Sequence, residues 1–120
     1  NVVYLGEIDD AYEFMNKHAI MVVPLFSGSG IRVKIIEGMA LGKTIITTGI
    51  GAEGIDATPE ANIIIENDAD GFINHINRLV CNKSAFDQIG NNASIFANKY
   101  FDNDKITSNL ISFYKTHIKA

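Results

Sequence analysis

The chain is poor in cysteine and poor in positive charge. Of its 120 residues only Cys81 is a cysteine. No internal disulfide can form, and a reducing compartment is expected. Ten Lys and Arg face fourteen Asp and Glu, for a formal net charge of −4. That balance argues against a nucleic-acid footprint, so no nucleic-acid partner is expected. No apolar run approaches the roughly 20 residues that span a bilayer. No secretory leader is visible, because Asn1-Val2-Val3-Tyr4-Leu5 reads as a strand already under way. A cytoplasmic location is therefore expected. Metal-ligand spacing is missing as well. His18, His75 and His117 lie far apart in sequence, and none sits at ligand spacing from another His or from Cys81. No metal is expected. Each histidine reads as a half-buried helix residue, and Cys81, at a helix end, as a small apolar filler. Without secretion, the sequons at Asn82 and Asn92 carry no meaning.

What is present is an apolar chain with alternating patterns. Apolar residues make up 47% of it, enough for one domain or part of one. After Val2-Val3-Tyr4-Leu5, a short strand ending at Gly6, Asp9 and Asp10 start a helix that runs to about His18 with Ala11, Met15 and His18 on one face. Residues 19–23 are continuously apolar, as in a strand buried on both faces, and Pro24 ends it. A helix follows over residues 31–41, with Ile31, Ile35, Ile36, Met39 and Ala40 as its core stripe and Gly42 as its cap. Residues 44–48 form a β-branched strand, Gly49, Gly51 and Gly54 a permissive loop, and residues 62–65 a fourth strand.

The remainder is helical. Phe72, Ile73, Ile76, Leu79 and Val80 repeat at helical spacing, as do Phe86, Ile89, Ala93, Phe96 and Ala97, and then Ile106, Leu110, Phe113 and Tyr114. Alternating strand and helix predicts an α/β fold, with a Rossmann-like parallel sheet, flanking helices and a helical C-terminal tail. Ligands of such sheets lie at the carboxyl ends of the strands. The two glycine loops both follow strand ends and could face one crevice.

The densest chemistry is at the first of these loops. Gly28-Ser29-Gly30 opens a helix that carries Arg32 and Lys34 in its first turns and Glu37 one turn on. Free amides at a helix start point at an anion, and glycines let it approach the backbone. Arg32 and Lys34 lie where the helix dipole is already positive, an arrangement that makes sense if an anion comes to them. Two solvated side chains are the plain alternative. Lys34 and Glu37 could form an internal pair at i, i+3. They could equally separate, Lys34 toward phosphate and Glu37 toward vicinal hydroxyls, since a carboxylate accepts two hydrogen bonds at once. Glu53 could contact a ligand or face water.

Two familiar motifs fail. Gly42-Lys43-Thr44 is no P-loop, because Glu37 stands where the first glycine belongs and a helix precedes the lysine. Gly28-Ser29-Gly30 lacks the third glycine of a dinucleotide fingerprint.

The run from Gly28 to Lys43, followed by Thr48-Gly49-Ile50-Gly51-Ala52-Glu53-Gly54-Ile55, resembles the donor-binding domain of retaining GT-B glycosyltransferases of the group 1 or family 4 type. Val2-Val3-Tyr4-Leu5-Gly6 and His18-Ala19-Ile20-Met21-Val22-Val23-Pro24 are similar to the same family. The resemblance implies that residues 1–120 form a single, partial donor-binding domain, the C-terminal half of a GT-B fold. It implies a UDP-, GDP- or ADP-linked sugar as donor substrate, with no separate cofactor and no metal. Glu37 would hold the ribose. Gly28, Ser29, Gly30, Ile31, Arg32 and Lys34 would face the diphosphate and sugar. Gly6 and Ile8 would lie near the base, with Glu53 and Gly54 as further loop contacts. Many members carry a second glutamate at the position of Ser29, and a branch with a Gly-Ser-Gly-like loop lacks it, as here. The family's basic pair for the diphosphate lies on earlier strands, and this chain begins after them.

The expected function is therefore donor binding for retaining transfer to a glycan or lipid acceptor, in cell-envelope polysaccharide synthesis. No catalytic residue is assigned within the chain, and the chain alone is expected to be inactive. The missing N-terminal acceptor domain is its expected partner, and any peripheral membrane association would come through that half. The alternatives are a non-catalytic α/β nucleotide-binding or interaction module and a GT-B sugar-nucleotide epimerase.

Overall fold

The computed structural model describes residues 2–118. Three parallel strands form the sheet in the order β1-β2-β3: β1 (Ile20–Val23), β2 (Thr44–Thr47) and β3 (Ile64–Ile65). Ile20 stands opposite Thr44 and Val23 opposite Thr47, while Ile46 stands opposite Ile64. Helix α1 (Ala11–Lys17) precedes β1, α2 (Val33–Ala40) links β1 to β2, and the single turn α3 (Gly49–Ala52) follows β2. After β3 come α4 (Ala69–Cys81), α5 (Lys83–Tyr100) and α6 (Asn103–His117). The expected α/β class with a parallel sheet and a helical tail is the one observed.

The core is built on β2, whose four residues are all buried. Ile45 packs with Ile35, Met39, Ala93 and Ala97 from α2 and α5. Ile46 packs on the opposite face with Ile64, Phe72, Leu79 and Ile89. Each of the larger side chains removed from water contributes roughly 1.5–3 kcal/mol, and each alanine less. The two threonines that flank them are buried as well, so their hydroxyls must find acceptors. Thr44 Oγ1 donates to Phe86 O on α5 at 2.9 Å, which ties that helix to the start of the strand.

Helix ends follow the sequence closely. Asp10 caps α1 through Glu13 N, Asp68 caps α4 through Gly71 N, and Asp102 caps α6 through Lys105 N. Past α2, Gly42 at φ +70° lets Lys43 N reach Gly38 O and Gly42 N reach Met39 O, the paired bonds of a Schellman stop.

Several expectations are corrected. Residues 2–5 form no strand. Val2 is 96% and Tyr4 93% exposed, because no neighbouring strand among the described residues pairs with them. The strand buried on both faces is β2, not β1. β1 has a neighbour on one side only, and Val22 remains 44% exposed. The core stripe of α2 is narrower than its period suggested. The helix starts at Val33, so Ile31 precedes it and is exposed, as is Ala40. Gly38 takes the closest approach to the sheet instead, since a Cβ there would stand 2.7 Å from Met21 Sδ. Glycines 49 and 51 lie in α3 rather than in an open loop.

Farther along, Ile73 and Val80 face solvent, and none of α6 is buried, Ile106, Leu110, Phe113 and Tyr114 included. Cys81 is exposed and is no core filler. Among the histidines only His75 is half-buried, between Glu60 and Glu66 at 3.7 and 3.6 Å, while His18 and His117 are exposed.

Helix α5 crosses the turn after α2 at close range. A Cβ on Gly90 would stand 2.3 Å from Gly42 O, which is backbone and cannot swing away. Alanine is favoured over glycine inside a helix by ~1 kcal/mol. Overpacking here costs about 1–3 kcal/mol and should outweigh that gain. Gly90→Ala is therefore expected to lower stability in urea unfolding; a more stable variant would contradict this packing.

Candidate functional site

The carboxyl ends of the strands are joined by side-chain hydroxyls. Thr47 Oγ1 donates to Val23 O at 2.8 Å, where β1 ends. Thr48 Oγ1 donates to Leu25 O, two residues past the strand. The same oxygen accepts from Gly51 N at 3.1 Å and so caps α3. At the third strand end, Glu66 N donates to Thr47 O, and Asn67 Oδ1 accepts from Gly49 N at 3.0 Å. These bonds hold the loop after β1 against the loop after β2.

The two glycine loops do meet. Gly28 and Gly30 have φ of +121° and +82°, and Gly54 has φ of +78°. A Cβ on Gly54 would stand 3.0 Å from Ile31 Cγ1, so the second loop lies against the residue that leads into α2. Glu53 ends α3 and is exposed.

The start of α2 differs from the other helix starts among the described residues. Side chains of Asp10, Thr48, Asp68, Asn82 and Asp102 cap theirs; Arg32 occupies the cap of α2 and accepts nothing with its side chain. Arg32 O takes Ile35 N at 2.9 Å and Ile36 N at 3.3 Å. The amides of Val33 and Lys34 are left without an acceptor among the described residues, and no acidic residue lies in that first turn. The helix dipole and two cations therefore reinforce one another at this end. The Arg32 guanidinium folds back, Nη1 donating to Ser29 O.

Lys34 is exposed and lines a cleft of about 590 Å³ with Gly6, Ile8, Phe14, His18 and Lys43. Lys43 Nζ is held by Asn16 O at 3.2 Å. Glu37, one turn on, is half-buried and accepts from the Tyr12 hydroxyl at 3.5 Å. It makes no ion pair with Lys34, so the internal-pair reading of those two residues is not what the structure contains.

The structure thus gathers Gly28, Ser29, Gly30, Ile31, Arg32 and Gly54 at one edge, and Lys34 with Gly6 and Ile8 beside it. Sequence reading missed Tyr12, Lys43 and the two threonine hydroxyls. Thr48 carried a usable signal, because a threonine directly before a glycine-rich turn is a helix cap. No group of three or more His, Cys, Asp or Glu among the described residues is arranged to hold a metal ion, and none of the helices they form is long and apolar enough to cross a membrane.

A parallel sheet flanked by helices, with glycine loops at its carboxyl edge, defines an α/β domain of Rossmann-like kind. Within that class, residues 1–82 match the family of glycosyl transferases group 1, and the chain belongs to it. It is similar to an uncharacterized 44.6 kDa protein in the cps region of Klebsiella pneumoniae, at 28% identity over 110 residues, covering 92% of this chain and 28% of that protein. The fold matches that of sucrose-phosphate synthase from Thermosynechococcus elongatus with a TM-score of 0.81 and 22% identity, covering 95% of this chain and 29% of the other. The chain therefore spans less than a third of either relative.

The threonine ties are open to a direct check. Thr48→Val keeps the shape but leaves Leu25 O and Gly51 N without their partner. Urea unfolding is expected to register a loss of about 1–3 kcal/mol. A neutral effect would show that the tie contributes nothing.

Proposed function

We propose that this chain is the nucleotide-sugar donor-binding part of a retaining glycosyltransferase. The observation that carries the proposal is the open start of α2, with unclaimed amides at Val33 and Lys34, glycines before them and no carboxylate in the first turn. Family membership supplies the chemistry that such an anion seat would serve. The diphosphate takes those amides and Lys34, with Gly28, Ser29, Gly30 and Ile31 shaping the approach. Glu37 accepts from the ribose hydroxyls, with Tyr12 steadying its carboxylate. Gly6 and Ile8 wall the cleft beside Lys34 and accommodate the base, while Gly54, against Ile31, and Glu53 border the sugar.

In this reading the leaving diphosphate is stabilised by oriented amides, the helix dipole and fixed cations rather than by a metal ion. The acceptor is a glycan or lipid, in cell-surface polysaccharide assembly. The similarity to a protein of a cps region supports that assignment. We assign the protein to the cytoplasm, where nucleotide sugars serve as donors. Because the chain spans 28% of that relative, sugar transfer is taken to need further polypeptide that carries the acceptor side.

Calorimetry with nucleoside diphosphates tests the site. Glu37→Ala is expected to leave the fold intact and weaken binding by about 1–3 kcal/mol, the scale of a hydrogen bond to a charged group. Unchanged affinity would remove Glu37 from the ribose. Lys34→Ala should weaken diphosphates more than nucleosides, and equal losses would move Lys34 away from phosphate. In a turnover assay with UDP-, GDP- and ADP-sugars and glycan acceptors, the chain alone is expected to transfer nothing. Reproducible transfer refutes the need for an acceptor domain.

A further inference from the structure

We infer that Arg32 is a positioning residue: its guanidinium clamps the Gly28-Ser29-Gly30 turn that precedes the open amides of Val33 and Lys34, while the anion itself is taken by those amides and Lys34. The inference rests on the donor-site reading and assigns Arg32 a role distinct from that of Lys34.

The guanidinium is already committed to its own loop. Nη1 donates to Ser29 O. Nη2 occupies the space beside Gly28, where a Cβ would stand only 2.5 Å from it. Nε is enclosed and has no acceptor, the single buried side-chain nitrogen or oxygen in that condition among the described residues. Solvent cannot reach that nitrogen, and a ligand arriving from solvent would not reach it either. An orphaned donor lowers stability and calls for a compensating use. The flat fork of arginine spans Ser29 O and the face of Gly28 together, which a lysine ammonium cannot do.

The cap position explains why the residue is a donor. A Ser, Asp or Asn at a cap accepts an amide in the first turn of its own helix, as Asp10, Asp68, Asn82 and Asp102 do here with the third amide. Arginine has no acceptor to offer. With Arg32 at the cap, its carbonyl serves Ile35 and Ile36, its side chain is drawn back into the loop, and no cap side chain accepts from the first turn of α2.

Two variants test the clamp, Arg32→Lys and Arg32→Ser. The readouts are backbone NMR order parameters of the ligand-free chain and titration with inorganic pyrophosphate, nucleoside diphosphate and nucleoside. Arg32→Lys retains the charge; it is expected to lower the backbone order parameters of Ser29, Gly30 and Ile31 and to weaken both diphosphates about tenfold, with nucleoside affinity unchanged. Arg32→Ser is expected to raise the melting temperature through a new cap while weakening the diphosphates, opposite directions that simple damage to the fold would not produce. Arg32→Lys with native loop order parameters overturns the clamp, as does native diphosphate affinity, which would make charge sufficient. A native chain that binds no diphosphate overturns the donor-site reading instead, and the order-parameter comparison still decides whether Arg32 holds the loop.

Discussion

Two adjacent threonine hydroxyls at the end of β2 determine how the site edge is built. Among the described residues β2 is the only strand with a neighbour on each side, and its side chains are buried throughout. A hydroxyl buried there must be satisfied. Thr47 and Thr48 reach across to the carbonyls of Val23 and Leu25, where the chain leaves β1. The exit path of the first loop is thereby specified by the second strand. The same geometry restricts Gly51, where a Cβ would overlap Thr47 Oγ1. The glycines of the second loop are thus partly a consequence of packing under the site, not only of ligand access.

From that anchored exit the rest follows in sequence. The loop returns through Gly28 and Gly30 at positive φ and enters α2 with Arg32 at the cap. Helix α2 lies close on the sheet because Gly38 faces Met21 and Ile45, and Ile35 and Met39 are fully buried beside it. A helix seated so firmly points its amino end in a fixed direction. The acidic chain places two cations at that end, Arg32 folded onto the loop and Lys34 lining the cleft, while Lys43, beyond the other end of α2, lines the same cleft. Glu37 is set back by one turn and bonded to Tyr12 rather than neutralised by Lys34.

Apolar surface without a partner collects elsewhere. Residues 2–5, the outer side of β1 and the whole of α6 carry exposed Val, Leu, Ile and Phe side chains. Contiguous exposed apolar surface usually marks a surface that another element covers. The 590 Å³ cleft lies along β1, lined by Ile20, Met21 and Val22. Alternation and helical period describe which face of an element is apolar; they do not say whether anything lies against it. That is why Ile106, Leu110, Phe113 and Tyr114 read as core positions and stand in solvent here.

Much of the architecture was legible in the residues themselves. Strand and helix alternation gave the parallel sheet, and acidic caps and Gly42 gave the helix ends, because each of these is a local effect of backbone dihedrals and neighbouring hydrogen bonds. The Gly28-Ser29-Gly30 loop, with Arg32, Lys34 and Glu37 at helical spacing, was legible for the same reason, and so was the family it indicates. Burial was not local. Which strand is central, that Ile31 and Ala40 face outward, and that Gly90 must admit the carbonyl of Gly42 depend on contacts between segments distant in sequence. The direction of the Arg32 guanidinium belongs to this second group. Sequence placed a cation beside the glycine loop; only the folded turn, with Ser29 O and the open face of Gly28 in reach, decided that it would bend inward.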